Sequence, residues 1–295
     1  MNRKSIRGSL LLLLTSLIWG VAFVAQSAGM DYVGPWTFNA SRFLIGGIVL
    51  LPFAIRKRDA FLQNRTVTIK GGISCGLALA AASLFQQFGI LHTSVGKAGF
   101  ITALYIIIVP ILGIFLGKKL PLRCGIAALL AAYGFYLLCL TEGLVLQIGD
   151  GLVLVCAFLF SIQILTVDYY STRASGVLLA CIQFFTCAAL CSVGMVIFER
   201  PAFQDILSGW LPILYAGALS CGVAYTLQII AQKDVEPTLA SLIMSLESVI
   251  SALAGWVLLG QSLSGREILG CVIVFLAIIL AQLPNKLWQK KEFGV

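Results

Sequence analysis

The stretch PTLASLIMSLESVISALAGWVLL, residues 237–259, is a continuous apolar run with one ionisable side chain, Glu247, near its centre. About 20 helical residues cross about 30 Å of hydrocarbon, so a run of this length reads as a membrane span. It is too long and continuous for a barrel strand, and lipid leaves an open sheet edge unsatisfied, which makes the span a helix. Similar runs lie outward from it at roughly 8–28, 34–55, 71–92, 95–117, 122–141, 149–169, 176–198, 208–231 and 267–284. The expected fold is all-α integral membrane, with ten transmembrane helices on short connections. The longest connection, about 56–70, carries Arg56, Lys57, Arg58, Arg65 and Lys70 and leaves no room for a soluble catalytic or ligand-binding domain.

Composition points the same way. The chain has 295 residues, is 60% hydrophobic and is only 11% charged, whereas a soluble domain carries about 25% charge. The net charge of +8 does not indicate nucleic acid, because the basic residues sit at helix ends and not along one exposed face. They are a topology signal. With the N-terminus in the cytoplasm and ten alternating spans, 16 Lys and Arg residues fall in cytoplasmic segments. Lys97, Arg200 and Arg266 fall outside, and Arg42 lies within a span. This distribution predicts a multi-pass membrane protein with both termini cytoplasmic. Residues 1–28 imitate a secretory signal, with a basic start and AQSA at 25–28. Their apolar stretch exceeds the usual 7–15 residues, so they are read as the first span.

The nine cysteines show no CxxC pair and lie almost entirely in apolar spans, as small residues of helix packing. His92 is the sole histidine. No Walker A, HExxH, GxSG-type elbow or GxGxxG motif is present, so no metal, cofactor or ATPase site is expected.

Two segments of the chain resemble each other. QQFGILHTSVGKAGFITALYIIIVPILGIFLGKKLPLR ends at Arg123, and LQIIAQKDVEPTLASLIMSLESVISALAGWVLLGQSLSGR ends at Arg266. Gln87 pairs with Gln228 at an offset of 141, and Gly117/Leu120/Arg123 pairs with Gly260/Leu263/Arg266 at 143. Two repeats of five spans, 1–145 and 146–295, would enter the membrane in opposite senses. Inverted repeats of this kind are a signature of secondary transporters.

The polar residues within the spans are the candidate site. Glu247 falls at the midplane, where a charged acid costs on the order of 2.5–3.5 kcal/mol. It reads as a proton-coupling or substrate-contacting group, or as a structural carboxyl bonded to a neighbouring helix. Arg42, two turns after Pro35, would bind an anion, pair with an acid or snorkel to the outer interface. Asn39 lies one turn earlier on the same face. Trp19 at mid-span suggests a cavity wall, since Trp otherwise favours interfaces. Gln86, Gln87, Gln163 and Gln228 would contact a polar or zwitterionic solute or bond between helices. Tyr105, Tyr225 and Ser245 are weaker candidates. Gly72/Gly76 and Gly113/Gly117 read as close-packing pairs.

LIWGVAFVAQSAG at 17–29, GPWTFNASRFLIGG at 34–47, LYIIIVPILGIFLGKK at 104–119 and LESVISALAGWVLLGQSLSGREILG at 246–270 resemble the EamA-type branch of the drug/metabolite transporter superfamily. The motifs that carry the resemblance are Trp-Gly in the first span, Arg in the second, Pro110 in the fourth and Gly-x-x-Leu before the last span of each half. The resemblance implies a ten-helix inverted-repeat carrier that moves metabolites such as amino acids, often outward. The family usually has Glu after the Gly that ends spans four and nine; here the pairs read Gly117-Lys118 and Gly260-Gln261. The expected function is a secondary transporter of small organic metabolites, not an enzyme, with the lipid bilayer, a small-molecule solute and a proton as partners, acting as a monomer or homodimer. The competing expectation is a membrane-embedded enzyme acting on lipid or peptide substrates.

Overall fold

The computed structural model describes residues 3–115, 122–139, 147–235 and 237–282. The described residues form helices α1 (Arg3–Gly29), α2 (Pro35–Ile55), α3 (Arg58–Gln63), α4 (Arg65–Ile90), α5 (Val95–Thr102), α6 (Tyr105–Phe115), α7 (Leu122–Cys139), α8 (Ile148–Ser171) and α9 (Gly176–Gly194). They continue with α10 (Phe203–Ser208), α11 (Trp210–Leu214), α12 (Thr226–Gln232), α13 (Pro237–Ser245), α14 (Glu247–Leu259) and α15 (Gly265–Gln282). A π-helical turn, Met195–Glu199, ends α9, and a π-helical stretch, Tyr215–Tyr225, joins α11 to α12. Among the described residues, seven helical segments are long and apolar enough to cross a membrane, and Gly125–Gly134 and Ile243–Leu259 are shorter apolar helices. Large apolar side chains such as Leu10, Leu17, Ile48, Phe53 and Trp256 face outward, an arrangement suited to lipid rather than water.

Local sequence explains the boundaries. Gly34 stands extended before Pro35, which takes the first helical position of α2. Gly260 closes α14 in the left-handed conformation, φ 64°, which glycine adopts without a Cβ penalty. Two stretches read as unbroken spans, 95–117 and 237–259, are interrupted midway. Leu104 N–H donates to Ile101 O at 3.1 Å and Ile107 N–H to Leu104 O at 3.0 Å, so the chain tightens between α5 and α6. Pro110 within α6 removes the donor that Ile106 O would otherwise receive. Leu246 N–H likewise turns back to Ile243 O at 3.3 Å between α13 and α14.

The helices pack in a consistent scheme. α2 lies on α9, α5 on α14 and α7 on α15. α4 packs on α8, as the Tyr215–Tyr225 stretch and α12 pack on α1. α1 also meets α14, as α8 meets α5 and α6. The close approaches need glycine. A Cβ at Gly76 would lie 2.6 Å from Thr186 Cβ and 2.9 Å from Gln183 O, so the Gly72/Gly76 pair seats α4 on α9. Gly117 lies outside the described residues. The cysteines whose side chains are described are buried and unbridged, within the helix contacts.

Candidate functional site

A narrow cavity, with about 30 Å³ open to water-sized guests, lies between α1, α2, α4, α5, α6, α8, the Tyr215–Tyr225 stretch and α12 to α14. Its wall contains Trp19, Arg42, Gln86, Tyr105, Gln163, Tyr225, Gln228 and Glu247. These eight sequence-level candidates come from eight separate elements and converge on one space.

Glu247 is buried and accepts a hydrogen bond from Tyr105 Oη at 3.0 Å. Both side chains stand immediately beyond a helix interruption: Tyr105 opens α6 and Glu247 opens α14. The breaks present a phenol and a carboxyl to the cavity at the level where an unbroken helix would present only its flank. Arg42 is 2% exposed and does not snorkel. Its guanidinium lies 4.8 Å from the Phe43 ring centre and 5.7 Å from that of Phe38, and its Nε and Nη2 have no hydrogen-bond partner among the described residues. Ring faces offset part of the loss of water, but a buried cation with unmade bonds still costs several kcal/mol. Arg42 and Glu247 therefore line one cavity, and among the described residues they form no ion pair with each other.

Trp19 lies against Tyr225, ring centres 4.5 Å apart and tilted by 57°, and points Nε1 at Ser220 O, 3.4 Å away. Gly20 next to it is obligatory, because a Cβ there would fall 2.4 Å from Ile250 Cβ and hold α1 off α14. Gln86 Nε2 donates to Thr102 Oγ1 at 3.3 Å, and Gln163 Nε2 to Gln183 Oε1 at 3.4 Å.

Three candidates lie off the wall. Asn39 is buried and donates to Ser83 O at 3.3 Å, which ties α2 to α4. Gln87 donates to Gln26 O at 2.9 Å, away from the space that Gln86 faces. Ser245 is buried in α13 behind the cavity, its carbonyl accepting from Ser248 Oγ at 2.7 Å. Sequence reading missed Gln26, Thr102 and Ser220, all on the wall. Gln26 was legible: Trp19, Ala22, Phe23 and Gln26 follow the i, i+3, i+4, i+7 face of a helix, and all four line the cavity. Ser220 carried no signal, because its position depends on the π-helical register of its segment.

The wall is built in pairs. Ala22 and Ile164, Gln86 and Gln228, Thr102 and Met244, and Tyr105 and Glu247 all line it, and each pair is separated by 142 positions. Gln86 and not Gln87 shares the wall with Gln228.

One end of the bundle is tied by polar contacts. Glu199 accepts from Trp36 N–H at 2.9 Å, Thr37 N–H at 2.7 Å and Thr37 Oγ1 at 2.6 Å, capping α2 from another helix. Gln261 Oε1 accepts from Val95 N–H at 3.0 Å at the start of α5. Lys97 Nζ pairs with Glu267 Oε1 at 2.9 Å. Gln261, which stands where the resembled family has Glu, still supplies the acceptor that the helix end needs. Lys118 lies outside the described residues.

Long apolar helices around a polar centre define a multi-pass membrane protein. The model of the EamA-like transporter family matches residues 6–140 and again 147–283, so the chain belongs to that family and is a membrane transporter. A relative from Archaeoglobus fulgidus, named an uncharacterized transporter, is 30% identical over 281 residues, covering 95% of this chain and 87% of its own. The S-adenosylmethionine/S-adenosylhomocysteine transporter of Chlamydia muridarum is 23% identical over 293 residues, covering 90% of each chain. A solved crystal structure shares the fold with a TM-score of 0.72 at 21% identity, over 97% of this chain and 99% of that one.

Proposed function

We propose that the protein is a secondary transporter that exports small organic metabolites, amino acids or related compounds, by alternating access. In this reading it spans the plasma membrane ten times with both termini cytoplasmic. Its two five-helix halves, 1–145 and 146–295, are inverted relative to each other, and it works as a monomer or homodimer. The observation that carries the proposal is the cavity holding an unpaired Arg42 and a Tyr105-bonded Glu247 within the membrane-spanning bundle. A group that costs energy to bury is retained where it serves a solute or an ion. Arg42 offers a planar fork to a carboxylate, Glu247 faces a cationic group or a proton, and the Gln amides and aromatic rings suit the remainder of a zwitterion.

The paired wall at a separation of 142 supports the repeat. So does the packing scheme, in which the main helix contacts have counterparts, and so does the double match of the family model. Exchange of access between two pseudo-symmetric halves follows from such an architecture. The Chlamydia relative is named for organic metabolites, in keeping with this solute class. Transport rather than catalysis is the reading, because Arg42 and Glu247 stand ready to bind and no bond-breaking step is implied by them.

The test is a thermal-shift screen of purified protein against amino acids, nucleosides, polyamines and cationic drugs, since a bound ligand stabilises the folded state. Each hit would then be assayed for transport in proteoliposomes across a pH gradient. Stabilisation by zwitterions with gradient-driven flux is expected. Stabilisation only by polyamines or cationic drugs would overturn the assigned solute class, and flux indifferent to the gradient would overturn proton coupling.

A further inference from the structure

A second recess lies away from the central cavity, between α4, α6 and α8 on the flank of the bundle. It is an open groove of about 610 Å³, walled by Leu112 and Phe115 of α6 and by Ile162, Leu165, Tyr169 and Tyr170 of α8. Phe115 is 84% exposed. The walls are hydrocarbon almost throughout, so the occupant is apolar over most of its length.

The end of the groove has a different chemistry. Tyr169 and Tyr170 meet edge to face at 4.9 Å and form its rim, and tyrosine is the residue that favours the headgroup level. Arg173, in the turn just past the end of α8, sits 3.8 Å from the centre of the Tyr169 ring. Its Nη1 donates to Tyr169 O, so the guanidinium is held at the rim. On the opposite wall Lys70 lies one turn beyond Ser74, which lines the groove. Gly71, next to Lys70, brings α4 against α8 here, since a Cβ on it would lie 2.7 Å from Tyr170 Cδ1. Lys70 and Arg173 are exposed, and among the described residues no carboxylate lies within ion-pair distance of either. Asp168, on α8 two residues before Tyr170, is the acid nearest to the rim in sequence.

We propose that this groove binds one acyl chain of an anionic phospholipid, with the lipid phosphate held at the rim by Lys70 and Arg173. Apolar walls, an aromatic rim and two exposed cations that have no carboxylate partner among the described residues match the three parts of such a lipid in order: chain, glycerol level and phosphate. A basic recess between membrane helices is the kind of site that selects anionic headgroups. A neutral lipid would fill the walls equally well but would leave both cations without a partner.

The experiment is native mass spectrometry of the purified full chain with phosphatidylglycerol and phosphatidylcholine of identical acyl chains. The wild type should retain phosphatidylglycerol in preference by on the order of tenfold. K70Q/R173Q should bring the two lipids to parity while melting at the wild-type temperature, because both side chains are exposed. Thr166→Trp, which fills the groove from its wall, should lower retention of both lipids. Equal retention by the wild type, an undiminished preference in K70Q/R173Q, or unchanged retention in Thr166→Trp would each overturn the proposal.

Discussion

Tyr105 Oη donates to Glu247 Oε1 at 3.0 Å, and the two residues stand 142 positions apart, the same separation as the other paired residues of the cavity wall. In the proposed repeat these are corresponding positions of the two halves, meeting at the centre, each just past a helix interruption. A hydrogen bond to a charged group is worth about 1.5–3 kcal/mol. Tyr105→Phe should accordingly reduce transport by roughly ten- to a hundredfold. Glu247→Gln should abolish flux driven by a proton gradient and leave solute exchange measurable. Both are checked in proteoliposomes. Gradient-driven flux that persists in Glu247→Gln would remove the carboxyl from coupling.

Arg42 leads to a second expectation. Nε and Nη2 lack partners among the described residues and the side chain is buried, so they are free to bond a guest in the cavity that Arg42 lines. Arg42→Gln should abolish stabilisation by carboxylate-bearing solutes and raise the intrinsic melting temperature, because an unpaired buried charge is removed. Arg42→Lys should not rescue binding, since an ammonium lacks the planar fork. A melting screen on the three proteins reads all of this directly. Full rescue by lysine would mean that charge alone is recognised.

Glu199 caps α2 from the far side of a helix contact, and Gly34 leaves room for it. A Cβ at Gly34 would fall 2.4 Å from Glu199 Cδ. Glu199→Ala should lower stability by about 1–2 kcal/mol through the loss of the cap. Gly34→Ala should also destabilise, by pushing the carboxylate away. In the double variant the clash has no partner, so the two losses should sum to less than their separate values. Strict additivity in a denaturation series would show that Gly34 does not serve the Glu199 contact.

These relationships mark the limit of what the sequence could show. The spans are legible because hydrocarbon demands long apolar runs, and the recurrence of Gln, Gly and Arg at a near-constant spacing is what suggests the proposed repeat. Trp19, Arg42 and Glu247 stand out because polar or oversized groups in such runs are costly. The helix interruptions before Tyr105 and Glu247 are not legible. No glycine or proline marks either one, and both depend on how α5 and α14 pack. The choice between Gln86 and Gln87 is likewise set by a rotation of one residue about α4, which composition cannot fix. Glu199 and Gln261 look like ordinary loop residues until the helix ends they cap are brought beside them.

The tied end of the bundle gives the last expectation. Lys97 and Glu267 have side chains 10% and 22% exposed, so their attraction is less screened than that of a surface pair. Lys97→Met and Glu267→Gln should each destabilise. Their cycle should show coupling of about 1 kcal/mol, near the upper end for partly exposed pairs. This contact and the Gln261–Val95 bond both join α5 to the segment that follows α14. In an alternating carrier they must open together when the cavity turns towards this end. Gln261→Ala combined with Lys97→Met should therefore shift the population towards that opening before it unfolds the protein. Hydrogen exchange of the amides at 95–99 should accelerate, while exchange across the α4–α8 contact stays at the wild-type rate. Acceleration at both places would indicate general loosening, and the polar contacts at this end would then be structural ties rather than a gate.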